Sequence, residues 1–195
     1  MKKGAIFLRV IAGVARRTML IAPEGKNTRP TADRAKESLF SILTPQVKGA
    51  RFLDIFCGSG AIGIEALSRG AREAVFVDSA SPAMRAVNEN LAKTKLMQAE
   101  VIAATAKVAI SRLAGARQFD IIFLDPPYDS SLLSQTLREI VAANLLADGG
   151  AIIAETDSSH SHVEMEEKAE HAQLCLTETR VYGRTKFLFF HKVVA

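Results

Sequence analysis

Two rhythms of apolar and polar positions divide the chain. Before residue 51 the apolar positions come in short, broken pieces. Leu8-Arg9-Val10-Ile11 and Thr18-Met19-Leu20-Ile21 flank Gly13 and the pair Arg16-Arg17, a pattern that predicts a hairpin. The stretch from Pro23 to Pro30 is rich in breakers and reads as a loop. Thr31 can then cap a helix running through about Leu43, with Asp33 in its first turn and Pro45 ending it. Ala35, Leu39, Ile42 and Leu43 share one face of that helix, which leaves Arg34 and Lys36 towards solvent or a ligand.

From residue 51 strands and helices alternate. Strands are expected at Phe52–Phe56, Ala74–Val77 (leading into Asp78), Ala99–Ala103, Phe119–Leu124 and Ala151–Glu155. Between them, helices are expected at Ala61–Arg69 (stopped by Gly70), from Ser81-Pro82 onward with Ser81 as N-cap and Pro82 as first residue, around residues 106–113, and at Ser131–Ala143. Gly149-Gly150 is expected to turn the chain into the fifth strand. Leu174–Tyr182 and Lys186–Val194, separated by Gly183-Arg184, read as a closing hairpin. Repetition of strand and helix calls for an α/β domain with a parallel sheet covered on both faces.

Length and composition add bounds. At 195 residues with 48% apolar content, the chain is long enough for one domain with a sizeable core and leaves room for a small extension. Two distant cysteines, Cys57 and Cys175, give neither a disulfide framework nor a metal-ligand spacing. His160 and His162 form a His-x-His pair in a serine-rich stretch with no evident third ligand, so no metal site is expected. The start is too short and too interrupted for a signal peptide, and no apolar run approaches a membrane span. A soluble, cytoplasmic protein is expected. The formal net charge is +4, yet residues 1–50 hold ten Lys/Arg against three acids. A basic segment joined to a mildly acidic remainder points to a polyanionic partner, most often nucleic acid, although an ordinary solvated basic surface has the same composition.

Two loops carry the candidate chemistry. Asp54-Ile55-Phe56-Cys57-Gly58-Ser59-Gly60-Ala61-Ile62-Gly63 stands between a strand and a helix. Glycines there let backbone approach a ligand, and Asp78, 20 residues after Gly58, can accept both hydroxyls of a ribose. This spacing is shared with dinucleotide-binding proteins. Asp54 separates the possibilities, because a carboxylate at the mouth of the loop would repel a pyrophosphate but attract the amino group of S-adenosylmethionine. The second loop, Asp125-Pro126-Pro127-Tyr128, follows the fourth strand of the alternating region. Two prolines fix two φ angles and remove two backbone donors, which leaves carbonyl acceptors beside a flat ring. Such a corner suits a planar group carrying an NH2, and it is also what a Pro-rich turn looks like.

Together the two loops closely resemble those of the amino-methyltransferases. Arg9-Val10-Ile11-Ala12-Gly13, Arg29-Pro30-Thr31, Asp33-Arg34, Glu37-Ser38-Leu39-Phe40, Leu53–Gly70 and Asn88–Leu91 extend the resemblance to the bacterial 16S ribosomal RNA guanine-N2 methyltransferases. The resemblance implies a Rossmann-like, seven-stranded, mostly parallel sheet with an antiparallel last strand. It implies S-adenosylmethionine as cofactor, held by Asp54, Phe56, Gly58, Ser59 and Gly60 together with Asp78, Ser79 and Thr105. Many relatives carry an Asp or Asn after the third strand, where this chain has Ala103-Ala104-Thr105-Ala106, so the hydroxyl of Thr105 is what remains to face the adenine. Asp125, Pro126, Pro127 and Tyr128 are the expected catalytic corner, with Asp125 and the Pro126 carbonyl accepting the N–H bonds of the amine and Tyr128 stacking on its base.

On this reading residues 1–50 form a basic RNA-contacting extension and 51–195 the methyltransferase domain. Arg9, Arg16, Arg17, Arg29, Thr31, Arg34 and Arg184 are the candidate RNA contacts. The implied partner is ribosomal RNA within the small subunit or an assembly intermediate, engaged by a monomer. The same corner would also serve adenine N6, cytosine N4 or a protein amide. A nicotinamide dehydrogenase would share the glycine loop but leave Asp54 and Asp125–Tyr128 without a purpose. A non-catalytic RNA-binding assembly factor would not need the acids at 54, 78 and 125.

Overall fold

Along the central strands successive side chains point to opposite faces, so near-continuous apolar runs bury both sides of one sheet. The computed structural model describes residues 8–23, 30–127, 130–158 and 173–193, with residues 30–32 and 130 described by backbone alone. Strands β1 (Leu8–Arg9) and β2 (Met19–Leu20) form a small antiparallel pair, followed by helix α1 (Pro30–Val47). The alternating part comprises β3 (Arg51–Ile55), α2 (Ala61–Ser68), β4 (Glu73–Asp78), α3 (Ser81–Thr94), β5 (Ala99–Ala103), α4 (Ala106–Leu113), β6 (Phe119–Leu124) and α5 (Ser130–Ala142). It closes with β7 (Leu146–Asp157), β8 (Leu174–Tyr182) and β9 (Thr185–Lys192).

Seven strands hydrogen-bond in the order β5-β4-β3-β6-β7-β9-β8. From β5 to β7 neighbours are parallel, and β9 is antiparallel to both β7 and β8. The expected α/β sheet with an antiparallel last strand is therefore present. Phe52, Phe76, Phe123 and Phe187 belong to the core on the side of α1, α2 and α3. Ile55, Val77, Leu124 and Phe190 belong to the core shared with α4 and α5. Strand order reverses between β3 and β6, which opens a crevice at their carboxyl ends, where open α/β sheets bind ligands.

Several element boundaries differ from expectation, beginning with α1, which starts at Pro30 and so already includes Thr31, its expected cap. Helix α1 continues through Pro45 to Val47. The proline lies in the final turn, where its missing N–H removes a single ladder bond, and burial of Leu43 and Val47 holds that turn against the core. Helix α3 starts from Ala80 as N-cap, without a side-chain bond, so Ser81 is its first residue rather than its cap. Strand β7 begins at Leu146 instead of after Gly149-Gly150. Its pairing with β6 shifts register between Phe119 and Ile121, and the two glycines lie inside that irregularity rather than in a turn before the strand.

The N-terminal hairpin is fastened to the sheet domain by buried polar groups. Glu65 on α2 is fully buried and accepts the backbone N–H groups of Ile11 at 2.7 Å and Ala12 at 3.0 Å. Lys36 Nζ lies 3.5 Å from Glu65 and donates to the Arg9 carbonyl at 2.5 Å, while Arg69 donates to Glu65 at 2.8 Å. Ser68 Oγ donates to the Ala12 carbonyl and accepts from Ala15 N–H. Gly13 lies so close to α2 that a Cβ there would stand 1.7 Å from the Ser68 carbonyl oxygen. Lys36 was expected to face solvent or a ligand, but these partners draw it inside, and burial lowers its pKa from the ordinary lysine value against the opposing pull of Glu65. On α3, the buried amide of Asn90 accepts from Ile21 N–H at 2.7 Å and donates to the carbonyls of Ile21 and Ser59, both at 2.9 Å. The exit from the hairpin is thereby stitched to the glycine loop.

Candidate active site

The site grows from the carboxyl ends of four neighbouring parallel strands. At the end of β4, Asp78 Oδ2 accepts the Gly58 N–H at 3.0 Å and Oδ1 accepts the Ala80 N–H at 2.9 Å. Two backbone donors thus fix the carboxylate while its remaining lone pairs face a cavity of about 590 Å³. Phe56, Gly58, Ser79, Thr105, Asp125 and Pro127 also line that cavity. Its volume is that of a small-molecule or cofactor pocket.

A smaller cavity of about 180 Å³ shares Phe56, Gly58 and Asp125 with the first. Its lining adds Lys36, Asp54, Ser59, Phe123, Glu155 and Phe187. Phe56, common to both, has a left-handed backbone with φ 63°, uncommon for a residue with a bulky side chain. Asp54 is buried and accepts the Gly63 N–H at 2.9 Å. Burial pushes its pKa up to about 8, Asp125 and Asp78 add in the same direction, and the Gly63 bond opposes them. A buried acid of this kind is stabilised as an anion by a cation brought beside it.

Most of the expected cofactor residues come together, but two of the three glycines do so for another reason. A Cβ at Gly63 would approach the Phe76 ring to 2.4 Å, and one at Gly60 would meet the same ring and Val87 at 3.2–3.3 Å. These glycines let α2 pack onto β4, while Gly58 alone of the three lines the cavities. Thr105 caps α4 through a long 3.5 Å contact from Val108 N–H and still lines the larger cavity. Cys57 is buried in the loop, and desolvation drives its pKa far above that of an ordinary thiol.

Asp125 and Pro127 stand at the expected corner with Pro126 buried between them, and Asp125 N–H donates to the Ile55 carbonyl at 3.3 Å. Tyr128 lies outside the described residues. Of the candidate RNA contacts, Arg9, Arg16, Arg17 and Arg34 are exposed, with Arg9 3.3 Å from Asp33. Arg184 is 67% exposed and pairs with Asp157 at 2.8 Å, so its charge is partly neutralised. Arg29, the side chain of Thr31, and the His160/His162 pair lie outside the described residues. Among the described residues no group of three His, Cys, Asp or Glu is arranged to hold a metal ion. No helix among them is long and apolar enough to cross a membrane.

The sequence reading missed Glu65, Asn90 and Glu155. Glu155 was within reach, since it is the expected last residue of the strand that follows the one leading to Asp125. Glu65 and Asn90 sit on helices whose periodicity gives no hint that their buried polar atoms grip another segment.

The family described as Conserved hypothetical protein 95 matches residues 8–191 of this chain. The chain belongs to this family. It is 38% identical over 187 residues to YlbH of Bacillus subtilis (strain 168), covering 95% of this chain and 99% of that protein. It is 35% identical over 150 residues to the Escherichia coli (strain K12) protein named Ribosomal RNA small subunit methyltransferase D, covering 77% of this chain and 75% of that one. The solved structure of Escherichia coli yhhF matches with a TM-score of 0.78 at 31% identity, covering 97% of this chain and 100% of that chain. These relatives bear out the family resemblance read from residues 8–155.

Proposed function

We propose that this chain transfers a methyl group from S-adenosylmethionine to the exocyclic N2 of a guanine in small-subunit ribosomal RNA. One observation carries the reading: Asp54, Asp78 and Asp125 line two adjoining cavities at the strand-order reversal. The name of the Escherichia coli relative supports the substrate.

When bound, S-adenosylmethionine supplies a sulfonium methyl whose S–C bond breaks with its electron pair left on sulfur. Asp78 suits the ribose hydroxyls because backbone donors already hold its carboxylate in place. Asp54 suits the amino group, since a cation there relieves the buried acid's preference for its proton. Asp125 and the Pro126 carbonyl accept the two N–H bonds of the target amine, turning its lone pair out of conjugation and toward the methyl. As the N–C bond forms, one of those protons leaves the nitrogen for Asp125 or for water, so the product amine is neutral. The target base leaves its stack to reach the corner.

Residues 1–50 act as the RNA-contacting extension of the methyltransferase domain at 51–195. Arg9, Arg16, Arg17, Arg34 and Arg184 meet phosphates. The enzyme works as a cytoplasmic monomer on the small subunit or an assembly intermediate. The deciding experiment supplies labelled S-adenosylmethionine with free RNA, isolated small subunits or DNA and identifies the labelled nucleoside. The expected product is N2-methylguanosine from RNA. Label in adenosine or cytidine overturns the guanine assignment, and RNA and cofactor binding without transfer points to an assembly factor.

Proton linkage gives a second check. Asp54 holds a proton in the folded protein from about pH 4 to its raised value near 8, while the unfolded chain does not. Stability from this group is therefore greatest at low pH and declines as pH rises through 8. Binding a cationic amino group favours the ionised form, so affinity rises with pH below 8. The dissociation constant of S-adenosylhomocysteine should fall by up to about tenfold between pH 6.5 and 7.5. Calorimetry on Asp54→Asn should show this slope flattened.

A further inference from the structure

Glu155 stands beside Asp125 in a place the methyl-transfer chemistry itself leaves unexplained. Strands β6 and β7 pair in parallel through Leu124 and Ala154, so Asp125 and Glu155 are the next residues along adjacent strands. Leu124 and Ala154 point into the core shared with α4 and α5. Alternation therefore turns Glu155 to the opposite face, toward α1 and the hairpin, while Asp125, just past the end of β6, lines both cavities. The smaller cavity confirms this, since Asp125 and Glu155 both line it. Phe56, Phe123 and Phe187 supply flat apolar walls. Thr185 Oγ1 donates to Glu155 Oε1 at 3.4 Å, which orients a carboxylate with roughly four acceptor positions.

A carboxylate next to the amine-binding corner discriminates among bases by chemistry alone. The ring nitrogen between the exocyclic amine and the next carbonyl of guanine is N1, which carries a hydrogen. In adenine and cytosine the ring nitrogen on the Watson–Crick edge beside the amine is an acceptor. An acid there accepts a bond from guanine and faces a repelling lone pair in the other two. We propose that Glu155 is a specificity-determining residue that accepts the N1–H of the target guanine while Asp125 accepts from its N2 amine. This rests on the methyl-transfer reading above and explains how that site would choose guanine, a choice the Asp125–Tyr128 corner does not make.

The test uses small-subunit particles reconstituted with RNA carrying either guanosine or 2-aminopurine ribonucleoside at the position where the methylated product maps. 2-Aminopurine keeps the exocyclic amine but replaces N1–H with an acceptor. The unaltered enzyme should prefer guanosine in kcat/KM by on the order of 100-fold. Glu155→Gln, whose amide keeps one carbonyl acceptor and adds a donor, should lose on the order of 10-fold on guanosine while holding or gaining rate on 2-aminopurine. Glu155→Ala should lose on guanosine without that gain. Affinity for S-adenosylhomocysteine should stay as in the unaltered protein. Equal losses of Glu155→Gln on both bases, or full activity of Glu155→Ala on guanosine, overturn the role of Glu155 and leave methyl transfer standing. Failure of the unaltered enzyme to label guanosine at all, with label in another base, overturns the parent reading and this one with it.

Discussion

Asp125→Ala should lower kcat for methyl transfer by on the order of 10³-fold, with affinity for S-adenosylhomocysteine nearly unchanged. The exocyclic amine of a base is a weak nucleophile because its lone pair is spread into the ring. An acceptor held rigidly against its N–H bonds matters most when the nitrogen becomes pyramidal, so its loss falls on the transition state rather than on binding. Rigidity comes from the backbone, with Asp125 N–H tied to Ile55 on one side and the fixed φ of Pro126 on the other. Single-turnover measurements with labelled cofactor separate this from slow product release. Asp125→Asn keeps one carbonyl acceptor and should recover part of the rate. Full activity in Asp125→Ala would remove the residue from the reaction, while a parallel loss of cofactor affinity would assign it to the larger cavity.

Much of this site was legible because strand ends in an open α/β sheet are marked by abrupt changes in the sequence. The apolar runs into Asp78 and Asp125 stop at acids, and their alternation fixes which face of the sheet each residue occupies. What the chain does not announce is the purpose of a residue held by tertiary contact. Gly63 carries the spacing of a ligand loop, yet the ring of Phe76, set by the pairing of β4, decides why it is a glycine. Lys36 falls on the polar side of α1 by periodicity, and only the distant Glu65 brings it inside. Pro45 is a reliable stop signal in isolation, but burial of Val47 carries the helix past it. In each case a contact far along the chain outweighed a correct local preference.

Glu65 exposes the same point energetically. Glu65→Ala should destabilise the fold by about 3–5 kcal/mol, measured by urea unfolding, because it strands a buried Lys36 as well as two backbone N–H groups. The loss should shrink as pH rises. Lys36 already has a lowered pKa, and without Glu65 only the Arg9 carbonyl and the weaker pull of Asp33 oppose its desolvation. The folded state then binds fewer protons than the unfolded chain, so stability increases with pH toward the ordinary lysine range. Glu65→Ala combined with Lys36→Met should recover much of the loss, since no buried charge is left alone. The amides of Ile11 and Ala12 remain unsatisfied in the double variant and keep the hairpin loosened. Its functional signature should be weaker RNA binding with near-normal affinity for S-adenosylhomocysteine, because Asp78 and Gly58 keep their own bond. Equal weakening of both would show that the hairpin shapes the cofactor cavity as well, through the Asn90 link to Ser59.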